Sequence, residues 1–517
     1  MTAGKTGQKN FVSQQNNGLQ SSPGHGKILK EYTAFVETGE PETAFVVLFC
    51  LDFGIFLERG RFMAQRIRSM TEGSPMRLLI AFALPLMVGN VFQQLYTVVD
   101  TAVVGQFVGV SALASLGAAD SPNWGVLGII QGLTQGFSIL MAQHFGAKDH
   151  RELSRSVGAS VTLCLLFALL LEVGGQLWAE PLLRLLNTPQ DVLPGALLYL
   201  RIVYGGIPAI MAYNFLAAIL RALGDAKTPL YAIVVAALMN VALDLLFVVG
   251  FHWGIAGAAI ATVISQVASA VYCFLNVRRI TILQVRREDL KLERTLCLTL
   301  LKLGFPMALQ NAIIAVGSMV VQFVINGYGM LFLAGFTATN KLYGLLEIAA
   351  TSYGFAVTSY VGQNLGARLV RRIKKGQRSA ALLALITSVV IGGAMLLFGR
   401  LVLGLFISGE PGQVEASLDI AYHYLSIMSV CLPILYMLHI YRSALMGLGD
   451  TVVPMFSGFA EMVVRIGVAL VLPIWMGQEG IYYAEVGAWT AAAVILVAAY
   501  YLRIGALSRR KGFALDE

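Results

Sequence analysis

The sequence predicts an all-α integral membrane protein with twelve transmembrane helices, arranged as two parallel six-helix lobes related by pseudo-twofold symmetry. Three observations predict it. Of the 517 residues, 57% are hydrophobic and only 13% charged, about half the charged share of a soluble domain. The apolar residues gather into runs of roughly 20 or more, long enough as helices to cross about 30 Å of hydrocarbon. The second half of the chain is a worn copy of the first. Pro85 and Asn90 recur as Pro306 and Asn311, a shift of 221. Gln143, Gly146 and Ala147 recur as Gln363, Gly366 and Ala367, a shift of 220. Gly224, Asp225 and Pro229 recur as Gly449, Asp450 and Pro454, a shift of 225, and Gly254 recurs as Gly480. Loop insertions account for the small drift. Lipid offers no partners to an open strand edge, so helices are the natural spanning form. A barrel would show short alternating segments, which are not seen.

In chain order, residues 1–69 stand apart as an N-terminal extension. Residues 1–22 are polar and rich in Gln, Asn, Gly and Ser, a composition that favours disorder. Residues 44–56 form an apolar run interrupted by Asp52, too short to span. This extension is read as dispensable or as the product of a start codon placed too early, with the body beginning near Met70. The N lobe (70–278) holds spans 78–107, 112–145, 156–180, 192–221, 228–251 and 254–277. A linker follows (279–297). The C lobe (298–505) holds spans 298–326, 333–366, 379–407, 417–446, 452–475 and 480–503, and a tail closes the chain (506–517). Six spans return the chain to its starting side, so the copies form a parallel repeat. Pro85 and Pro306 are expected to kink or start the first span of each lobe, because proline removes a backbone hydrogen bond.

Lysine and arginine set the direction. The loop after span 2 holds Lys148, Arg151 and Arg155, and the linker region holds Arg278, Arg279, Arg286, Arg287, Lys291 and Arg294. The loop after span 8 holds Arg368, Arg371, Arg372, Lys374, Lys375 and Arg378, and the C-terminal region holds Arg503, Arg509, Arg510 and Lys511. The opposite loops offer only Arg184 and Arg400. Both termini are therefore expected in the cytoplasm. The net charge of +8 is topological and calls for no nucleic-acid partner. The five cysteines share no metal-like spacing and read as packing residues.

A carboxylate inside a span costs about 2.5 kcal/mol or more, so each one needs a reason. Span 1 carries Asp100. Span 5 carries Asn240 and Asp244, whose i, i+4 spacing puts an amide and an acid on one helix face. Span 6 carries Thr262. Counted from the outer helix ends, all four lie roughly 10–15 Å deep. Two acids, an amide and a hydroxyl at one depth suit a proton or Na⁺. The 221- and 225-residue shifts carry Asp100, Asn240 and Asp244 onto Val321, Arg465 and Ala469, so the acidic cluster belongs to one lobe.

With those residues in view, the chain resembles the multidrug and toxic-compound extrusion (MATE) family, bacterial branch. The resemblance rests on QQLYTVVDTAVVGQFVG around Asp100, AQHFGAKD (142–149), LRALGDAKTPLY (220–231), MNVALDLLF (239–247) and YVGQNLGA (360–367), in order over about residues 70–505. It implies an antiporter in a bacterial inner membrane that exports amphiphilic, often cationic drugs, using a proton or Na⁺ gradient and alternating access of two lobes. It implies no further cofactor, and activity as a monomer. In the branch with an N-lobe cation site, the implicated residues match Asp100, Asn240, Asp244 and Thr262. Some members also carry acids in spans 7 and 10. Here span 7 offers Gln310 and Asn311 instead, which places a second cation site of that kind in doubt.

Other intramembrane polar groups carry their own expectations. Glu347, midway along span 8, is a candidate cavity residue for cationic compounds, with Gln310 and Asn311. Glu461 and Arg465 are spaced i, i+4 and read as a neutralising pair. Asp120 in span 2 and Lys341 in span 8 match in depth and are expected to meet at an outer gate. A lipid-linked precursor flippase is the alternative, but it needs a basic cavity and the unmatched charges here are mostly acidic. A major facilitator would carry a Gly-Asp-Arg-rich loop after span 2, where GAKDHRELSR stands. An enzyme would need a nucleophile–base or metal spacing, which the six scattered histidines do not make.

Overall fold

The computed structural model describes residues 67–407 and 411–509. Most of the extension, with its polar stretch and the apolar run at 44–56, lies outside the described residues, as does the tail from residue 510 on. Among the described residues every regular element is a helix. The N lobe is built from Pro75–Phe107, Val110–Gly146, His150–Leu185, Leu193–Gly205 with Ile207–Ala222, Lys227–Asp244 with Leu245–Gly250, and Gly254–Val277. The C lobe is built from Arg294–Asn326, Met330–Gly366, Val370–Leu403, Pro411–Gly447, Val452–Val471 with Pro473–Met476, and Tyr483–Ser508.

Helix ends differ from the expected spans for physical reasons. Spans 3 and 9 begin at His150 and Val370, several residues before their apolar runs. Hydropathy marks the hydrocarbon boundary, whereas these helices continue into water through charged turns. Asp149 accepts from the backbone N–H of Glu152 at 3.1 Å and caps the first of them. Span 4, expected as one helix, breaks at Gly206 with a 51° bend. Pro208 there has no N–H to give to the preceding turn. Pro85 and Pro306 lie inside their helices. Pro306 frees the carbonyl of Lys302, which accepts from Thr451 Oγ1 at 3.0 Å. Span 8 is unusually polar for a spanning helix. It buries Thr339, Ser352, Thr358, Ser359, Gln363 and Asn364 because neighbouring helices surround it.

The duplication persists in the backbone. Gly109 and Gly329 both have positive φ before spans 2 and 8, and Lys148 and Arg368 after them. Gly224 and Gly449 do the same before spans 5 and 11. There Asp225 accepts from the N–H of Lys227 and Thr228, and Asp450 from that of Val453.

The lobes meet through the same repeated residues, reciprocally. Gln143 Nε2 donates to the Gly447 carbonyl at 3.2 Å, and Gln363 Nε2 donates to the Ala222 carbonyl at 2.8 Å. A Cβ on Gly146 would stand 1.9 Å from the Gln363 carbonyl oxygen, and one on Gly366 would stand 1.8 Å from that of Gln143. Farther along, Gly132 and Gly136 of span 2 lie against the backbone of span 7 at Ala308 and Gly304. Asn311 donates to the Gly128 carbonyl, and Asn90 to Ser352 Oγ. These contacts run from the basic end to mid-depth of the helices.

Residues 67–73 reinforce that end, which sequence reasoning did not foresee. Ile67 packs on the N-lobe core. The Met70 N–H donates to Gln363 Oε1 at 2.7 Å, and its carbonyl accepts from Asn364 Nδ2 at 3.1 Å. Arg372 donates to the Gly73 carbonyl at 2.7 Å. The packed body thus starts a few residues before Met70. The linker is docked as well. Asp289 binds Arg151 at 2.8 Å and the N–H of Arg286 at 2.8 Å. Burial alone would push the Asp289 carboxyl up, but those donors outweigh it and hold it below its usual range. Its contribution to stability is therefore present above the ordinary carboxylate range and lost as pH falls through the lowered value.

The glycine contacts make a paired prediction. Gly146→Ala should destabilise the protein by about 2 kcal/mol or more, since a methyl group must displace main chain. Gly174→Ala, where a Cβ would meet nothing within 4 Å, should be neutral or stabilising by up to about 1 kcal/mol. Thermal unfolding in detergent compares them, and equal melting temperatures would contradict the packing described.

Candidate functional site

Span 1 packs against span 5, and span 5 against span 6. That arrangement gathers the four residues the sequence singled out in the N lobe. Asp100 is 7% exposed, Asn240 1% and Asp244 0%. The carboxyl groups of Asp100 and Asp244 are neighbours across spans 1 and 5. Asn240 Nδ2 points to Thr262 Oγ1 at 3.5 Å, at the long limit of a hydrogen bond. That interaction uses the donor end of the amide. Oδ1 of Asp100, Oδ1 of Asn240 and both carboxyl oxygens of Asp244 have no donor.

A buried acceptor left without a donor costs about 1–3 kcal/mol. Four of them in one place, three belonging to two facing acids, call for positive charge. All the ligating atoms on offer are oxygens, which suit a proton or a hard cation such as Na⁺. The local backbone changes at this point. Span 5 leaves α geometry directly after Asp244 and continues as a wider π turn, Leu245–Gly250. Such turns often occur at functional sites. From within it Phe247 stacks on Phe251 and on Trp253, with Phe247 and Trp253 ring centres 4.9 Å apart.

Two tyrosines beside the acids were not foreseen. Tyr96 of span 1 stands near Asp100 and Asp244, and Tyr199 of span 4 near both acids and Tyr96. Tyr96 precedes Asp100 by four residues and so shares its helix face, a signal present in the sequence. Tyr199 reaches the site only through tertiary packing.

The remaining candidates are placed differently. Gln310 is 1% exposed and packs against Gly458 of span 11, and Asn311 spends its amide on Gly128. Both make contacts between helices. Glu347 is partly exposed and lies 3.2 Å from His439 Nε2 of span 10. Glu461 and Arg465 do not form the expected pair. Glu461 binds Arg442 of span 10, and Arg465 binds Glu485 of span 12 at 2.9 Å. Their i, i+4 spacing left both free to reach neighbouring helices, which a single-helix reading could not anticipate. Asp120 and Lys341 are both exposed, and the Lys341 charge bears on Asp120 across the gap between lobes, without a direct ion pair. Lys341 also borders a recess of about 350 Å³ lined by Met330, Thr337 and Phe406.

Comparison with known proteins bears on the chain as a whole. The chain matches the MatE family over residues 85–246 and 306–471, one segment in each lobe. It is 31% identical over 414 residues to the probable multidrug resistance protein YpnP of Bacillus subtilis (strain 168), covering 80% of this chain and 91% of that protein. It is 25% identical over 428 residues to the probable multidrug resistance protein NorM of Thermotoga maritima, covering 79% and 88%. Among solved structures, it resembles the outward-facing conformation of a multidrug resistance MATE family transporter, with a TM-score of 0.79 and 23% identity over 86% of this chain and 99% of that one. It also resembles a MOP superfamily transporter from Pyrococcus furiosus, with a TM-score of 0.80 and 23% identity over 85% and 98%. The likeness to those structures concerns the fold.

The site makes its own prediction. Asp244→Asn exchanges one facing carboxyl for an amide that can donate to Asp100. At neutral pH the variant should melt higher than the wild type, by the equivalent of about 1–3 kcal/mol. It should also lose any response of the melting temperature to Na⁺ and proton concentration. A response equal to that of the wild type would mean that these oxygens do not bind the cation.

Proposed function

The chain belongs to the MATE family of transporters, and on that footing we propose that it is an antiporter exporting amphiphilic, often cationic compounds in exchange for protons or Na⁺. The observation that carries this reading is the buried N-lobe cluster of Asp100, Asn240, Asp244 and Thr262, four of whose oxygens lack donors. Transporters of this family are ion-coupled, and this cluster is the place in the N lobe built to hold a small cation.

Each residue has a part. Asp100 and Asp244 supply the charge that a proton or Na⁺ neutralises. Asn240 and Thr262 supply neutral oxygens that complete the set without adding repulsion. Two acids this close exchange cations as a unit. Neutralising them removes the reason for spans 1 and 5 to be held apart, and the π turn after Asp244 gives span 5 room to adjust. Such coupling acts only through the difference in cation affinity between two states of the transporter.

Direction follows from charge. The excess of lysine and arginine at the end carrying both termini supports placing that end in the cytoplasm of a bacterial cell. The lobes meet from that end to mid-depth, which supports reading this conformation as open to the outside. In the opposite state the lobes would close at the outer side. Asp120 and Lys341 would then approach and pair, as the expectation of a gate requires, and Glu347 would be left facing the inner opening to receive a cationic compound. The transporter would act as a monomer.

Purified protein in liposomes with imposed proton or Na⁺ gradients tests the reading. Wild-type protein should drive efflux of a cationic dye under one of the two gradients. Asp100→Asn should reduce it at least tenfold, with insertion unchanged, because an amide cannot trade its charge for a cation. Ordinary efflux by that variant would refute the coupling role. For the gate, Asp120→Lys and Lys341→Asp should each slow efflux and the double exchange should restore much of it; additive losses would leave the two unconnected.

A further inference from the structure

The basic end of the C lobe carries a group of phenols with no part in the sites above. Tyr441 of span 10 and Tyr500 and Tyr501 of span 12 cluster there. Tyr500 meets both of the others edge to face, with ring centres 5.4 Å and 5.5 Å away. The hydroxyls of Tyr441 and Tyr501 share one hydrogen bond at 3.3 Å. One bond between two hydroxyls leaves one O–H proton unused. Tyr500 is 2% exposed, and its hydroxyl has no hydrogen-bond partner. A buried phenol ordinarily finds one. Span 9 brings Arg378, whose charge reaches the Tyr500 hydroxyl. Arg503 of span 12 is answered by Asp450 at 2.7 Å, whereas among the described residues no carboxylate answers Arg378. The N lobe has no copy of this group. The repeat carries Arg378, Tyr441, Tyr500 and Tyr501 onto Gly158, Leu216, Phe274 and Leu275.

Depth and surroundings say what would complete it. Arg378 lies eight residues into the helix Val370–Leu403, and Tyr500 eight residues from the end of Tyr483–Ser508. Each is therefore roughly 12 Å from its helix end at the basic side. Arg378 is also the last charged residue before the apolar run of span 9, so it marks the level of the lipid headgroups. Exposed apolar stripes lead from there into the hydrocarbon. Leu382 and Leu385 follow Arg378 at i+4 and i+7, and Val494 precedes Tyr501 by seven residues. The group thus offers donors and one unanswered positive charge at headgroup depth, with bare apolar surface beside it. It lacks an acceptor with one negative charge. A phosphodiester has that charge, and its oxygens accept from guanidinium and phenol alike. A free phosphate would leave the stripes uncovered, whereas the acyl chains of a phospholipid cover them.

We propose that spans 9, 10 and 12 of the C lobe form a binding site for an anionic phospholipid of the leaflet at the basic end. Its phosphodiester accepts from Arg378, from the Tyr500 hydroxyl and from the unused O–H of the Tyr441–Tyr501 pair. Its acyl chains lie along Leu382 and Leu385. Tyr501, 59% exposed, is the outermost of the three rings and turns aside to admit the phosphate to Tyr500. A zwitterionic lipid fits less well, because its positive headgroup meets Arg378 and Arg503. The bound lipid ties three helices of one lobe together through its headgroup.

Dioctanoyl phosphatidylglycerol is the probe, with dioctanoyl phosphatidylcholine and inorganic phosphate for comparison. Thermal unfolding of the full-length protein is followed in a nonionic detergent. Saturating phosphatidylglycerol should raise the wild-type melting temperature by about 2 °C or more above the phosphatidylcholine value, and inorganic phosphate should not. Arg378→Gln should lose most of that rise. Tyr500→Phe should lose at least about half of it, yet melt no lower than the wild type without lipid, because it discards a buried hydroxyl that has no partner. Arg279→Gln, exposed at the basic end of the N lobe, should keep the full rise. A full rise in Arg378→Gln or in Tyr500→Phe would overturn the inference. An equal rise with phosphatidylcholine would do the same, as would a loss in Arg279→Gln equal to that in Arg378→Gln. An equal rise with inorganic phosphate would also overturn it, by showing a site for free anions.

Discussion

Gln143 and Gln363 each reach across the pseudo-twofold axis to a main-chain carbonyl of the other lobe, and Gly146 and Gly366 let the two helices come close enough for it. At the two glycines the contact is main chain on main chain, with no side chain between that could yield. It is also confined to one end. A tight, polar, reciprocal seal at one end with contacts fading at mid-depth is what allows two rigid lobes to rock. The clasp of Met70 on Gln363 and Asn364 adds to the same seal, and Arg372 ties the segment down.

The two lobes share a scaffold but treat buried charge in opposite ways. In the N lobe acceptors outnumber donors around Asp100, Asn240 and Asp244, which is what supports the proposed cation site. In the C lobe Arg442 and Arg465 answer Glu461 and Glu485, and Glu347 lies against His439. At the position matching Asn240 the C lobe carries Arg465, a change from an acceptor that wants a cation to a cation fixed in the chain. Divergence at that one place separates the two chemistries.

The fold was legible because lipid leaves so few choices. Apolar runs of spanning length had to be helices, and the repeat of Asn90, Gln143 and Gly146 as Asn311, Gln363 and Gly366 set the two-lobe plan. Those repeated residues are the ones that meet between lobes, a meaning the sequence alone did not disclose. The N-lobe cluster was legible because a carboxylate in a span is expensive and Asn240 and Asp244 share a helix face. The C-lobe network was not. Glu461 and Arg465 had an obvious partner in each other, and only the packing of spans 10, 11 and 12 showed that each reaches elsewhere. The interhelical contacts of Gln310 and Asn311 were not legible for a related reason: an amide in a span does not show in sequence which glycine or carbonyl of the next helix it meets. The break at Gly206 and the π turn after Asp244 lie within unbroken apolar runs, where hydropathy has no resolving power.

The central claim is that the seal at the basic end must open and close for transport. Ala142 and Gly362 test it most directly, since a Cβ on Gly362 would lie 3.0 Å from that of Ala142, near enough that a small parting of the helices reaches the roughly 3.5–4.5 Å of a disulfide. In a background with the native cysteines replaced, Ala142→Cys with Gly362→Cys should cross-link the lobes on oxidation. Gradient-driven efflux in liposomes should then stop, and reduction should restore it. Undiminished efflux by protein shown to be fully cross-linked would contradict the account.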